Sequence, residues 1–145
     1  EFLAMFEAKR ERSLVGFCVM GGIFSEGIDL AEDRLIGAVI VGTGLPQVCT
    51  EREILKVFYD EQGRSGFDFA YRFPGMNKVL QAAGRLIRTV HDKGIIALLD
   101  DRFLTREYVE QFPMEWDDYL PVSLATVGPT VHGFWEQWKD RDEPV

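Results

Sequence analysis

Three short apolar runs stand out along the chain: Leu14 to Met20, Ile36 to Val41 and Ile95 to Leu99. Runs this short, with little polar alternation, suit strands buried on both faces of a parallel sheet covered by helices. Between them the apolar positions recur at helical spacing. Thr50 followed three residues later by Glu53 has the form of a capping box and predicts a helix start. That helix is expected to turn Ile54, Leu55 and Phe58 inward and to stop near Gly63. A second helix is expected from about Gly75 to Val90, followed by Gly94. Strand, helix and strand joined by short connections predict an α/β fold with right-handed crossovers.

The two ends read differently. Glu1 to Arg12 lacks an N-cap and has the pattern of the later part of a helix, with Phe2, Leu3 and Phe6 on one face. From Thr105 the pattern weakens. A short helix is expected over Thr105 to Gln111, after which Pro113, Pro121 and Pro129 interrupt regular structure. Pro129 to Trp138 predicts a last helix whose Phe134, Trp135 and Trp138 fold back onto the domain. Lys139 to Val145 reads as a solvated tail. Phe67, Phe69, Tyr71 and Phe73 alternate strictly. If extended they share one face, as a core or interface stripe or as a platform on which bases stack. Cys18, inside the first run, is expected to be a buried thiol. His91 and His132 have no partner pattern, and Trp116, Trp135 and Trp138 are expected to serve packing.

Composition narrows the class. The 145 residues are 46% hydrophobic, which is one domain's worth of chain with enough apolar mass for a core. The formal net charge of −8 excludes a basic protein that coats nucleic acid. No apolar run approaches the roughly 20 residues of a membrane span, so no membrane partner is expected. Cys18 and Cys49 are too few for a disulfide scaffold or a closed zinc site, which fits a reducing, cytoplasmic setting. The charge is uneven, however. Arg72, Lys78, Arg85, Arg88, Lys93 and Arg102 against Asp92, Asp100 and Asp101 make residues 72–104 basic between acidic flanks. That points to a local anion site.

Two segments could form such a site. On a helix, Gln81, Arg85 and Arg88 fall within about 60° of one another, opposite Val79, Ala83, Leu86 and Val90. The line suits either a solvated face or a phosphate clamp, since arginine offers a planar fork of donors and keeps its charge. Gly84 beside it costs roughly 1 kcal/mol of helix stability and leaves room for a close approach. The second segment is the loop from Met20 to Leu30, with Gly21, Gly22, Gly27, Ser25, Glu26 and Asp29 at the C-terminal end of the first run, the edge where open α/β sheets bind ligands. Neither it nor Gly42-Thr43-Gly44-Leu45-Pro46-Gln47 is a Walker A loop or a dinucleotide fingerprint.

Together these segments resemble a known family. Gly22-Ile23-Phe24-Ser25-Glu26-Gly27-Ile28-Asp29 is similar to motif V of the XPD/DinG-like superfamily 2 helicases. Gln81-Ala82-Ala83-Gly84-Arg85-Leu86-Ile87-Arg88 is similar to their motif VI, Q-x-x-G-R-x-I-R. Val41 to Pro46 resembles the family's strand and "G-L-P" loop. Asp92-Lys93-Gly94 and Leu99 to Phe103 match its "D-x-G" and "D-x-R" trailer. The similarity spans about residues 14–104 in order and spacing.

The resemblance implies the second RecA-like domain of a DNA helicase motor, with a parallel sheet and helices on both faces. It implies ATP hydrolysis with Mg2+ at the cleft against a first RecA-like domain, and movement on single-stranded DNA, 5′ to 3′. Arg88 would be the arginine finger, joined by Arg85 and Gln81. Gly27, Asp29, Glu26 and Gly84 would line the nucleotide side, and Ser25 and Glu26 the DNA side. No metal site is expected in this chain. The Walker motifs and the family's four iron–sulfur cysteines have no match here, so a cluster, if there is one, belongs to a missing part. Residues 1–104 are therefore expected to be a truncated RecA-like domain and 105–145 an extension packed on it. The fragment is expected to be monomeric and inactive alone, within a protein of DNA repair or replication. A non-catalytic docking domain and the helicase-like half of a single-stranded DNA exonuclease are the alternatives. The Gln81, Arg85, Arg88 line argues against the first, because docking needs no finger.

Overall fold

The computed structural model describes residues 13–22, 35–87 and 92–139. Two strands pair in parallel, β1 (Gly37–Val41) and β2 (Ile95–Leu99), in the register Gly37 to Ile95 through Val41 to Leu99. Between them run α1 (Thr50–Glu61), a five-residue π-helical segment (Asp68–Arg72) and α2 (Phe73–Ala83). After β2 come a 3-10 turn (Asp101–Leu104), the one-turn α3 (Arg106–Val109), a 3-10 turn (Met114–Trp116) and α4 (Val127–Lys139). This is the α/β arrangement that the apolar runs predict.

The core forms where α2 crosses β1. Met76, Val79 and Ala83, at helical spacing, bury against Ile40, and Phe103 and Tyr108, from the turns that follow β2, join the cluster. Ile96 and Leu98 of β2 pack on the same cluster. Arg72 ties the segments together: it pairs with Asp68 at 2.8 Å and lies over the rings of Phe67 and Tyr108.

Several local expectations are corrected. The strands are buried on one face, since Val39 and Val41 point to solvent, Val41 at 72% exposure. Leu14 to Val19 forms no strand in the structure and is largely exposed, Phe17 at 93% and the Cys18 thiol with it, because no strand among the described residues pairs with it. The α1 helix starts where expected, but Cys49 is its N-cap and no side chain caps it. Glu53 instead accepts a 2.5 Å hydrogen bond from the Tyr71 hydroxyl. Ile54, Leu55 and Phe58 face outward. The alternating aromatics are helical: Phe67 stacks on Tyr71 and Phe69 meets Phe73 edge-on, both pairs four residues apart. They present no shared strand face for bases. The last helix begins two residues before Pro129, which its first turn tolerates, and Lys93 lies over the Trp138 ring at 4.8 Å. The first helix expected over residues 1–12, and the tail from 140, lie outside the described residues.

Candidate functional site

The motif-bearing end of α2 is built by a change of winding. Gly84 N–H still bonds the Leu80 carbonyl at 2.8 Å, but Arg85 and Leu86 bond Ala82 and Ala83, three residues back. The helix therefore tightens and ends at Ala83, not at Val90. Glycine's poor helix propensity fits a terminus at Gly84. Leu86 anchors the turn: it is buried, and a Cβ on Gly94 would come within 2.8 Å of its side chain and 3.0 Å of the Ile36 carbonyl. The tight turn is thus wedged against the N-terminal ends of both strands.

Gln81, Gly84 and Arg85 are brought together there. Gln81 and Gly84 are exposed and Arg85 is half-buried, with no ion-pair partner among the described residues. A Cβ on Gly84 would meet only the Leu80 and Gln81 carbonyls, so its outer side is open. Arg85 lies just past the helix end, and Arg88 and His91 fall outside the described residues. Val79, Ala83 and Leu86 are buried as expected.

The glycine-rich loop is described only at its start. Gly22 N–H bonds the Val19 carbonyl at 3.0 Å through a turn with Gly21 at φ +80°. The Lys78 stem runs about 3.7 Å from where a Gly21 Cβ would stand. The start of the loop is therefore set against the middle of α2, one turn before Gln81. Lys78 is a cation that motif reading passes over. Its signal is spacing, since it stands three residues before Gln81. Ser25, Glu26, Gly27 and Asp29 lie outside the described residues.

The opposite edge, at the C-terminal ends of the strands, holds a second constellation. Gly42 N–H extends the ladder to the Leu99 carbonyl at 3.1 Å. Gly44, at φ +65°, lets the loop lie on the start of α2, where a Cβ would come within 2.7 Å of the Gly75 carbonyl. Thr43 is buried between them, and its hydroxyl has no hydrogen-bond partner. Beside it Asp100 caps the 3-10 turn through Arg102 N–H at 3.0 Å and grips the Arg102 guanidinium at 2.8 and 2.7 Å. That grip holds the Asp100 carboxyl down at about 2. An eleven-residue α2 at about 1.5 Å per residue separates this edge from Arg85. The two edges are distinct sites.

Among the described residues no three His, Cys, Asp or Glu side chains gather, and Cys18 and Cys49 are free and exposed. No described helix is long and apolar enough to cross a membrane.

Comparison with known proteins agrees with the geometry. The profile of the helicase C-terminal domain family matches residues 1–119. The chain is 34% identical over 122 residues to the regulator of telomere elongation helicase 1 of Bos taurus, covering 77% of this chain and 10% of that protein. It is 36% identical over 98 residues to the ATP-dependent DNA helicase chl-1 of Caenorhabditis elegans, covering 66% and 12%. The Drosophila persimilis homolog of the telomere elongation regulator matches at 33% over 150 residues, 97% of this chain and 15% of that protein. The chain thus spans about a tenth of the length of the curated relatives it matches. With a parallel α/β core and an exposed Gln-Gly-Arg helix end, the chain belongs to the helicase C-terminal domain family.

Proposed function

We propose that this chain is the second motor domain of an ATP-dependent DNA helicase, which couples ATP hydrolysis to movement along single-stranded DNA. The observation that carries the reading is the end of α2: Gln81, Gly84 and Arg85 stand at one exposed terminus, and Arg85 is left without a carboxylate partner among the described residues. An arginine that folding has not neutralised is free to meet an anion from outside. Among the relatives, chl-1 is named an ATP-dependent DNA helicase, which supports ATP and DNA as the substrates.

In this reading Arg88 meets the charge that develops on the transferring phosphoryl group, and Arg85 and Gln81 orient it. The wedge of Leu86 against Gly94 fixes where Arg85 leaves the end of α2. Glu26, Gly27 and Asp29 face the nucleotide, and Ser25 with Glu26 relays its state to the DNA. A Mg2+ bound with the nucleotide would spread phosphate charge and would be held from the first motor domain. Two free cysteines suit a reducing, cytoplasmic setting. Residues 1–104 form the motor half-domain, 105–145 its extension, and the partner is the first motor domain of the same protein. The fragment alone is a monomer without ATP turnover, and in the whole protein translocation runs 5′ to 3′ in repair or replication.

The test is Arg88→Ala in the full-length parent. ATP turnover is expected to fall by about 10³-fold or more, with ATP affinity changed only a few-fold. Unchanged turnover would remove the finger assignment.

A further inference from the structure

The α1 helix is inside out. Its inward side is polar: Arg52 donates to the Ala70 carbonyl at 2.6 Å, Tyr59 stacks on Phe69 at 4.0 Å, and Asp60 accepts the Gly66 N–H at 2.7 Å. Its outward side carries Ile54, Val57 and Phe58 at helical spacing, Ile54 at 65% and Phe58 at 51% exposure. Thr50, Glu53 and Glu61 complete the walls of a shallow groove over that stripe. A surface helix normally turns such a stripe to the core. Here the fold holds α1 by polar contacts and one aromatic stack, and leaves the apolar stripe to solvent.

The charges around the stripe narrow what can cover it. Lys56 pairs with Asp60 at 3.5 Å, and Arg52, held against the Ala70 carbonyl, is one positive charge against the three of Glu51, Glu53 and Glu61. Glu51, Glu53 and Glu61 therefore leave the rim acidic. An acidic rim repels phosphate, which disfavours nucleic acid. It also repels its own copy, on a chain of net charge −8. An apolar stripe of just over one turn bordered by acids fits an amphipathic helix whose own stripe is bordered by bases.

We infer that the outward face of α1 docks a separate partner protein through a helix with an apolar stripe flanked by lysine or arginine. The inference does not rest on the helicase reading, because neither Ile54 nor Phe58 belongs to the motif-bearing end of α2.

The probe is a synthetic helical peptide of about 18 residues, with leucine at positions i, i+3, i+4 and i+7 and flanking lysines. Its binding to the full-length parent is read by fluorescence anisotropy against a sequence-scrambled peptide and a glutamate-flanked one. The lysine-flanked helix is expected to bind at least about tenfold tighter than either control. Ile54→Asp with Phe58→Asp is expected to weaken it about tenfold or more, with the urea midpoint and ATP turnover unchanged. Equal binding of all three peptides, or of parent and variant, would overturn the proposal. So would hydroxyl-radical footprinting that finds Phe58 shielded in the parent alone, which would mean that its own polypeptide covers the face. A dimer dissolved by Phe58→Asp, or competition of the peptide by single-stranded DNA, would assign the face to a second copy or to nucleic acid and overturn it too.

Discussion

Asp100 and Arg102 stand two residues apart and share three hydrogen bonds, so the turn after β2 is held by a local clasp. Arg102 keeps the Asp100 carboxyl at about 2, below its ordinary 3.8. A carboxyl depressed on folding contributes stability that is fully present above the ordinary value and is lost as pH falls through 3.8 to about 2. Asp100→Ala should cost about 1 kcal/mol near neutral pH through the lost cap. Urea midpoints of parent and variant should converge as the pH approaches 2, and a gap that stayed constant would deny the clasp its charge. The sequence showed these two residues through the charge of 72–104 and a family likeness, but nothing in composition or periodicity marks a clasp. Gln81, Gly84 and Arg85 were legible as a motif, and the structure gathers them. That Arg85 lies past the helix end was not legible, since a 100° projection runs on through any residue that does not stop it.

At the scale of elements, glycines separate close approach from backbone freedom. Gly63, at φ +71°, ends the turn after α1 in open space. Gly63→Ala should therefore cost only the left-handed backbone, about 1 kcal/mol. Gly44 adds to its positive φ a Cβ position 2.7 Å from the Gly75 carbonyl, and Gly66 would put a Cβ 2.0 Å from the Lys56 carbonyl. Both contacts are with backbone that cannot swing away. Gly44→Ala and Gly66→Ala should each lose more stability than Gly63→Ala by urea titration, and an equal loss would contradict the packing. The start of α1 and its stop near Gly63 were readable from helical period and glycine. Which face turns inward was not, because Arg52, Tyr59 and Asp60 decide it by contacts with residues further along the chain. The aromatics of 67–73 misled for a related reason. Positions of period two contain pairs four residues apart, and those also meet on a helix.

Across the whole molecule, the clearest link between the strands and the C-terminal segment is the cluster of Ile40, Met76, Val79, Ala83, Phe103 and Tyr108. Phe103→Ala should cost about 3–5 kcal/mol. It should lower one cooperative transition seen by both far-ultraviolet dichroism and tryptophan fluorescence, since Trp116 packs against the same cluster. Two separate transitions would make residues 105–145 an independent unit. Two of the three apolar runs pair as parallel strands, so the fold class was legible from short buried runs alternating with helices. The first run was read as a strand on apolarity alone, and pairing needs a neighbour that a single run cannot reveal. The motor reading turns on ATP turnover by the full-length parent, measured with and without single-stranded DNA. The account predicts hydrolysis that DNA strongly stimulates and that Arg88→Ala abolishes. No hydrolysis with or without DNA would contradict it and leave the Gln81 to Arg88 segment to folding or to partner binding.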